Sequence, residues 1–244
     1  MPGAVPRWEL PGWRERYGVV AGITSRGSGP TPFDLGLGTD QPVGEVVNRW
    51  RALMAAEPGF RAHVLGRQVH GNKVRFQEGG EGWIQIEGVD GHVTATSGVM
   101  LYVSAADCIP VYLVAPRHGA IALLHAGWRG AAAGILERGV EAVYQHSKAL
   151  PADIVMHCGV GICGECYEVG PEVNDALGPG SSASPEGRFH VDIREILVAR
   201  AARLGLATIS RSDRCSSHDR GEFFSHRGSA GRDGRMVAYL GLVP

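Results

Sequence analysis

The sequence has no excess charge of either sign, no long apolar run and no even set of cysteines. Its 24 Lys and Arg residues nearly match its 25 Asp and Glu residues, and the formal net charge is −1. This balance does not favour a nucleic acid or another polyanion as a partner. No apolar stretch approaches the roughly 20 residues that cross a bilayer, and the first residues lack a basic region followed by an apolar core. Five cysteines in a chain of this length indicate reduced thiols rather than disulfides.

These absences predict a cytoplasmic protein without nucleic-acid or membrane partners, and they leave the oligomeric state open. A glycine-rich run at 27–30 lacks the Lys-Ser/Thr that would complete a Walker phosphate loop. The 244 residues are 44% hydrophobic, which suffices for a sizeable core, and neither a repeat nor a linker divides them. We therefore expect a single domain over residues 1–244.

Apolar periodicity predicts an α/β fold. Continuous apolar runs at 99–103 and 120–124 are typical of strands covered on both faces. The predicted strands lie at 18–24, 62–66, 73–77, 83–87, 99–104, 109–115, 120–125, 154–158, 206–210 and 235–240. Helical spacing predicts helices at 43–56, 131–147 and 171–177, and a fourth that begins at an Asp192/Glu195 capping box and ends at Gly205. Strands buried between helical layers fit this order best.

Three separate runs place metal-ligating side chains at the apparent ends of strands. They contribute His70, Cys108 and His125, each close to Gly, Pro or Asp. Catalytic groups concentrate at such positions. Two imidazoles and a thiolate make a three-ligand set that leaves the fourth tetrahedral position open, as in catalytic zinc sites. Since the three are distant in sequence, each could instead be a buried side chain, or a surface side chain whose hydrogen bonds are satisfied, with no metal.

The same residues allow other roles. Cys108 could be a nucleophile activated by His125 or His70, as in a Cys-His hydrolase without metal. Asp107 could act as a general base, accept a hydrogen bond from a ligand histidine, or only cap its loop. Arg26, beside the glycine-rich run, is a candidate anion ligand, although lone loop arginines are usually solvated.

A Cys-x-x-Cys pair at Cys163 and Cys166 suggests a zinc knuckle or a redox pair. A structural zinc site needs a second paired element, and only the isolated Cys215 and His218 remain for it. A thioredoxin-type pair would precede a helix, whereas a Tyr-Glu-Val run follows here. We therefore expect this pair to be accidental and dispensable for metal binding.

Five motifs, taken in order, resemble those of the YfiH-like laccase-domain family, also called polyphenol oxidase or peptidoglycan-editing-factor proteins. The motifs are Gln-Val-His-Gly at 68–71, Asp-Gly-His-Val-Thr at 90–94, Ala-Asp-Cys-Ile-Pro-Val at 106–111, His-Ala-Gly-Trp-Arg-Gly at 125–130 and Cys-Tyr-Glu-Val-Gly at 166–170. The resemblance runs from about residue 22 to 240, and the His-Ala-Gly-Trp-Arg-Gly run with Ala-Asp-Cys upstream is highly specific.

The resemblance implies an α/β sandwich of mixed sheets packed against helices. It also implies a zinc-dependent purine nucleoside phosphorylase, with purine nucleosides and inorganic phosphate as substrates. Adenosine deamination and methylthioadenosine phosphorolysis would accompany this activity. By carry-over, the zinc ligands are His70, Cys108 and His125, and the family's loop arginine is Arg26. The expected catalytic residues are Cys108, His125, Asp107 and Arg26. Asp107 would transfer protons or orient a ligand.

The chain departs from the family pattern at three positions. Asp34 stands where the family often has an amide, Val160 where a proline is usual, and Gly228 where a second arginine follows Arg227. The resemblance therefore implies metal binding more firmly than phosphate binding.

Three other functions stay open. The family's older label implies a copper polyphenol oxidase, but several coppers need many histidines, often as His-x-His pairs, and the chain has no such pair. A Cys-dependent hydrolase acting on a peptidoglycan precursor is the second. A non-catalytic binding module is the third, and the convergence of His, Cys and Asp at strand ends argues against it.

Overall fold

A computed structural model describes residues 4–178 and 187–244 of the chain. Its strands are β1 (Arg7–Glu9), β2 (Val19–Thr24), β3 (Ala62–Arg67), β4 (Val74–Phe76), β5 (Gly82–Glu87), β6 (Gly91–Thr94), β7 (Val99–Ala105), β8 (Ile109–Ala115), β9 (Ala120–Ala126), β10 (Val155–Cys158), β11 (Glu168–Val169), β12 (Phe189–His190), β13 (Thr208–Arg211) and β14 (Met236–Leu242). Its helices are α1 (Trp13–Tyr17), α2 (Val43–Ala55), α3 (Trp128–Ala132), α4 (Ile135–Ser147), α5 (Pro171–Leu177) and α6 (Ile193–Leu204).

Two six-stranded mixed sheets form the centre of the fold. The first has the order β1-β2-β14-β7-β3-β5 and the second β13-β10-β8-β9-β6-β4, while β11 and β12 pair antiparallel in a small separate sheet. In the first sheet β2, β14 and β7 are antiparallel and β7, β3 and β5 parallel. In the second sheet β10, β8, β9 and β6 are antiparallel, with parallel strands at both edges.

The sheets pack face to face, and helices cover their outer faces. Leu101 of the first sheet and Leu123 of the second belong to one buried apolar cluster between them. Trp50 of α2 packs on the outer face of the first sheet, and Leu136 of α4 and Leu197 of α6 pack on that of the second. The predicted α/β architecture of mixed sheets against helices is confirmed.

Most of the predicted elements are present. β7, β8 and β9 were the easiest to predict, because they are apolar along most of their length and are covered on both faces. β6 was not predicted. All four of its residues are buried, but only one of them, Val93, is apolar. Its hydrophobic pattern is therefore too weak to indicate a strand.

The helix predicted at 131–147 is in fact two helices. α3 begins at Trp128, directly after Gly127. The helical conformation is then interrupted at Gly134, whose φ of 83° is left-handed, and α4 begins after it. The cap of α6 is present, since the Asp192 side chain accepts from the Arg194 N–H. Glu195 pairs with Arg211 instead of closing the capping box. In the described part of the chain, no helix has the length and apolarity needed to span a membrane.

Candidate metal centre and its cavity

The structure brings His70, Cys108 and His125 together. One ligand atom from each lies within 4.8 Å of the others, and the two imidazole rings are 5.0 Å apart between centroids. His70 follows β3, Cys108 lies between β7 and β8, and His125 is in β9. Strand ends from both sheets therefore meet here, which explains how distant sequence positions form one group.

Asp90 organises this group. Its carboxylate accepts backbone N–H groups from the loop of His70, at 3.1 Å from Val69, 2.9 Å from His70 and 2.9 Å from Gly71. It also lies 3.0 Å from His125 Nδ1. Since Nδ1 faces the carboxylate, the Nε2 atom of His125 is the one available to a metal. Asp90 is the first residue of the motif at 90–94, but its neighbours in the sequence do not indicate this role.

The pKa values of the groups at this site are shifted from their usual values. Burial acts to raise the pKa of the Cys108 thiol, but the charge of His125 and hydrogen bonds with His125 and His70 outweigh it and lower this pKa to about 6. Burial acts to lower the pKa of His125, but the Cys108 charge and the Asp90 hydrogen bond raise it to about 9. Hydrogen bonds from His125, Gly71 and Val69 outweigh burial and lower the pKa of Asp90. At neutral pH the site therefore holds a thiolate, which is the form that binds metals.

Close backbone packing surrounds the candidate ligands. A Cβ on Gly127 would lie 3.0 Å from Cys108 Sγ and 3.2 Å from His70 Cδ2, so a side chain at this position would crowd two ligands. His70 itself has a φ of 60°, in the left-handed region that costs energy for most residues. The three backbone hydrogen bonds from this loop to the Asp90 carboxylate hold it in the strained conformation.

Asp107, which precedes Cys108, also has a left-handed φ, of 86°. It is buried and lines the cavity. Its carboxylate accepts from Ser216 Oγ at 2.6 Å and from the backbone N–H of Arg227 at 2.6 Å. Asp90 is thus the carboxylate that contacts a candidate ligand histidine, and the role in proton transfer or ligand orientation predicted for Asp107 stays a prediction. The contacts of Asp107 hold the loop of Cys108 against the C-terminal segment.

The three candidate ligands open onto a cavity of about 590 Å³ between the sheet ends. Its lining includes Arg129, Arg227 and Arg235. Arg227 is bound to the Glu168 carbonyl at 2.6 Å. The Arg129 guanidinium lies over the Trp128 ring, 4.2 Å from its centre.

Arg26 does not join this group. It is absent from the cavity lining, and its guanidinium binds both carboxylate oxygens of Asp233 at 2.6 and 2.7 Å. It also donates to the Arg220 carbonyl and lies 4.3 Å from the centre of the Phe224 ring. A direct contact between Arg26 and an anion stays a prediction; the visible contacts make it an anchor of the segment that carries Arg227 and Arg235.

The three departures from the family pattern have structural partners. The buried Asp34 accepts from the backbone N–H groups of Gly36 and Arg235, both at 2.8 Å. Val160 packs in the core between the sheets, and the Gly228 N–H donates to Ser225 Oγ. Asp34 therefore connects two cavity-lining segments through their backbones.

The structure also corrects the view of the Cys-x-x-Cys pair as isolated. Cys163, Cys166, Cys215 and His218 form a second group whose ligand atoms lie within 4.8 Å of one another. Cys215 and His218 are separated by two residues, and this Cys-x-x-His spacing makes them a second paired element. Their convergence comes from a parallel bridge between Gly161 and Cys215.

Fold and site together define a two-sheet α/β protein with a candidate metal centre at an open cavity. A crystal structure of YlmD from Geobacillus stearothermophilus matches the chain with a TM-score of 0.89 at 31% identity, covering 100% of this chain and 98% of that one. The Bacillus licheniformis hypothetical protein YfiH gives the same TM-score at 25% identity, covering 99% of this chain and 97% of the other.

Sequence comparisons agree with the structural ones. Purine nucleoside phosphorylase YlmD of Geobacillus stearothermophilus is 36% identical over 250 residues, which cover 92% of this chain and 90% of the relative. Purine nucleoside phosphorylase of Deinococcus radiodurans is 40% identical over 198 residues, covering 79% and 76%. The model of the multi-copper polyphenol oxidoreductase laccase family matches residues 21–243. The chain belongs to this family, and the resemblance predicted from the motifs is confirmed.

Proposed function

We propose that the protein is a zinc-dependent purine nucleoside phosphorylase that releases free base and ribose 1-phosphate. Adenosine deamination and methylthioadenosine phosphorolysis are the further activities of the same site. The observation that carries the proposal is the convergence of His70, Cys108 and His125 on an open cavity with arginines in its wall. The names of the relatives support the phosphorylase part.

The donor set fits zinc. Two imidazoles and a thiolate with ligand atoms within 4.8 Å match a three-ligand catalytic site, and Asp90 supplies the carboxylate that usually orients a ligand histidine. The pKa of Cys108, lowered to about 6, keeps the thiol ionised for coordination at neutral pH. When bound there, zinc would supply Lewis acidity and lower the pKa of water.

The other cavity residues would position the substrates. Phosphorolysis passes through an oxocarbenium-like sugar, so phosphate must be held against the anomeric carbon. Arg129 and Arg227 line the cavity with guanidinium groups suited to an anion. Trp50 and Leu65 line it with apolar surface, on which a purine base could pack.

Proton transfer falls to groups beside the ligands. Asp107 is already bound to Ser216 and to the Arg227 backbone, so we assign it the positioning of Cys108 together with any proton transfer at the cavity wall. His125 would keep its Nδ1 proton throughout and donate it in a hydrogen bond to the Asp90 carboxylate, because that hydrogen bond is buried and charge-assisted.

The test is a product assay on the purified protein with adenosine, inosine or methylthioadenosine and inorganic phosphate. We expect free base and the pentose 1-phosphate from each, and inosine from adenosine. His125→Ala should abolish all products, since it removes a ligand common to the reactions. Hydrolysis of a cell-wall peptide or amide without nucleoside turnover would support the Cys-hydrolase alternative and overturn the phosphorylase.

The family's description keeps a copper polyphenol oxidase as the second candidate. Across residues 4–178 and 187–244, the two candidate metal groups contain three histidines in total, His70, His125 and His218, which is few for a cluster of several coppers. Oxidation of a phenol by copper-loaded protein, with no phosphorolysis by zinc-loaded protein, would favour that candidate.

A further inference from the structure

Two short motifs that are distant in the sequence converge on one point outside the cavity. Cys163 and Cys166 form one pair, and Cys215 and His218 form the other. Their four ligand atoms lie within 4.8 Å of one another, with Cys163 Sγ 3.7 Å from His218 Nδ1. In a tetrahedral zinc site with Zn–S and Zn–N bonds of ordinary length, neighbouring ligand atoms are about 3.6 to 3.8 Å apart.

Each pair lies on a tight turn, and the two turns are joined. In the first turn the Cys166 N–H donates to the Cys163 carbonyl at 3.1 Å, and in the second the Asp219 N–H donates to the Cys215 carbonyl at 2.8 Å. The parallel bridge at Cys215 places the turns side by side, and the Cys163 N–H donates to Cys215 Sγ at 3.3 Å. Paired ligands on two such turns are the construction of structural zinc sites.

The histidine is oriented for coordination. Its Nδ1 faces the sulfur of Cys163, whereas its Nε2 lies 3.9 Å from the Glu165 carboxylate. This separation is too long for a hydrogen bond, so the orientation is defined by Nδ1, the nitrogen that faces the sulfur. Three sulfurs and one nitrogen occupy all four tetrahedral positions, so no position remains for water or substrate.

We propose that Cys163, Cys166, Cys215 and His218 bind a second zinc ion with a structural role. This site is separate from the candidate centre in the cavity and shares no ligand with it. It goes beyond the proposed function and does not depend on it.

The site has a position from which it can stabilise the cavity wall. Ser216, inside the second turn, donates to Asp107 at 2.6 Å, and the Ile162 N–H, just before the first turn, donates to the Asp107 carbonyl at 2.9 Å. A Cβ on Gly161 would lie 2.7 Å from that same carbonyl. Zinc would therefore tie together the two segments that hold the loop of Asp107 and Cys108.

The experiment is zinc analysis of the full-length chain, purified without chelator. We expect about two zinc ions per chain in the wild type, one in the cavity and one in this site. His218→Ala and the Cys163→Ser/Cys166→Ser double variant should each lose one ion, and Cys158→Ala, a buried cysteine outside the group, should lose none. Equal zinc content in wild type, His218→Ala and the double variant would overturn the proposal.

A second measurement separates this site from the cavity centre. A His70→Ala/His125→Ala variant lacks two candidate cavity ligands. Added Co²⁺ should still give it the intense sulfur-to-cobalt absorption band of several thiolates. Adding His218→Ala to the same variant should weaken this band. This result stands even if no nucleoside is turned over. A disulfide between Cys163 and Cys166 in the unreduced protein, detected by mass spectrometry, or an absent cobalt band would overturn the proposal. Since His218 is exposed, its replacement should leave the chain folded.

Discussion

Asp90 Oδ1 lies 3.0 Å from His125 Nδ1, with the carboxylate fully buried and the imidazole almost so. The same carboxylate holds the loop of His70 through three backbone N–H groups. One side chain thus orients one candidate ligand histidine directly and positions a second through the backbone of its loop. Such partners of ligands strongly affect metal affinity.

Asp90→Asn should weaken zinc binding at the cavity centre by about 10- to 100-fold, the range typical for the loss of such a partner. The amide cannot accept all of the hydrogen bonds that the carboxylate accepts. It also lacks the negative charge that strengthens the hydrogen bond with His125. The measurement is the free zinc concentration that half-protects Cys108 from alkylation, followed at that residue by mass spectrometry.

Asp153→Asn is the matched control. Asp153 also accepts a backbone N–H, from Leu150, and pairs with an arginine, but it lies outside the cavity lining. Its replacement should leave zinc protection of Cys108 unchanged. Equal effects of the two substitutions would show that Asp90 acts only through general stability.

In metal-stripped protein, alkylation of Cys108 should increase with pH around a midpoint of about 6. The pKa is lowered, so the reactive thiolate is present above this midpoint and is lost as the pH falls through it. Cys158 is the internal control, because burial raises its pKa to about 12 and the residue should stay unreactive. A midpoint for Cys108 near that of an ordinary thiol would contradict the thiolate–imidazolium pair with His125.

Arg129→Ala should lower phosphorolysis by about tenfold or more and leave deamination less affected, since only phosphorolysis must hold phosphate and a charged hydrogen bond contributes roughly 1.5–3 kcal/mol. Arg26→Ala should also impair phosphorolysis, but through displacement of the segment that Asp233 anchors. Steady-state rates of both reactions decide this. The exposed Arg117, paired with Asp153 outside the cavity lining, provides a control substitution without effect.

If Arg26→Ala selectively abolished phosphorolysis while Arg129→Ala had no effect, the direct anion role predicted for Arg26 would be correct. The positioning role inferred from its contacts would then be wrong.

Gly127→Ala should weaken zinc binding while changing the melting temperature little. Its φ of −79° suits alanine, but the added Cβ would lie 3.0 Å from Cys108 Sγ. The ligand must therefore shift by a few tenths of an ångström. Gly44→Ala in α2, where a Cβ would meet nothing within 4 Å, is the control and should bind zinc normally. Zinc protection of Cys108 and thermal unfolding of both variants test the expectation, and normal zinc binding by Gly127→Ala would refute it.

Much of the fold was predictable from local pattern. β8 was predicted at its observed limits, and β7 and β9 to within one residue at one end, because residues buried on both faces leave an uninterrupted apolar run. The break between α3 and α4 was missed, since the left-handed conformation of Gly134 is not visible in hydrophobic spacing. The cap at Asp192 was predicted because its hydrogen bond is local.

The candidate site was predictable in part. The residue types at His70, Cys108 and His125 indicated a metal centre, and the structure brings them together. The role of Asp90 was not predictable, because its partners lie about 20 and 35 positions away in the chain. Arg26 shows the converse case, in which a plausible anion ligand is engaged by a distant carboxylate.

The sequence by itself determined most of the strands and helices, the side chains of the cavity group that could bind a metal, and the family to which the chain belongs. These follow from burial patterns and motifs that extend over a few neighbouring residues. Only the tertiary structure decided which of these side chains meet. The two sheets bring His70, Cys108 and His125 to one cavity, and the bridge at Cys215 joins the second group of cysteines. The physical reason is that pairing between strands sets distances that sequence separation does not encode.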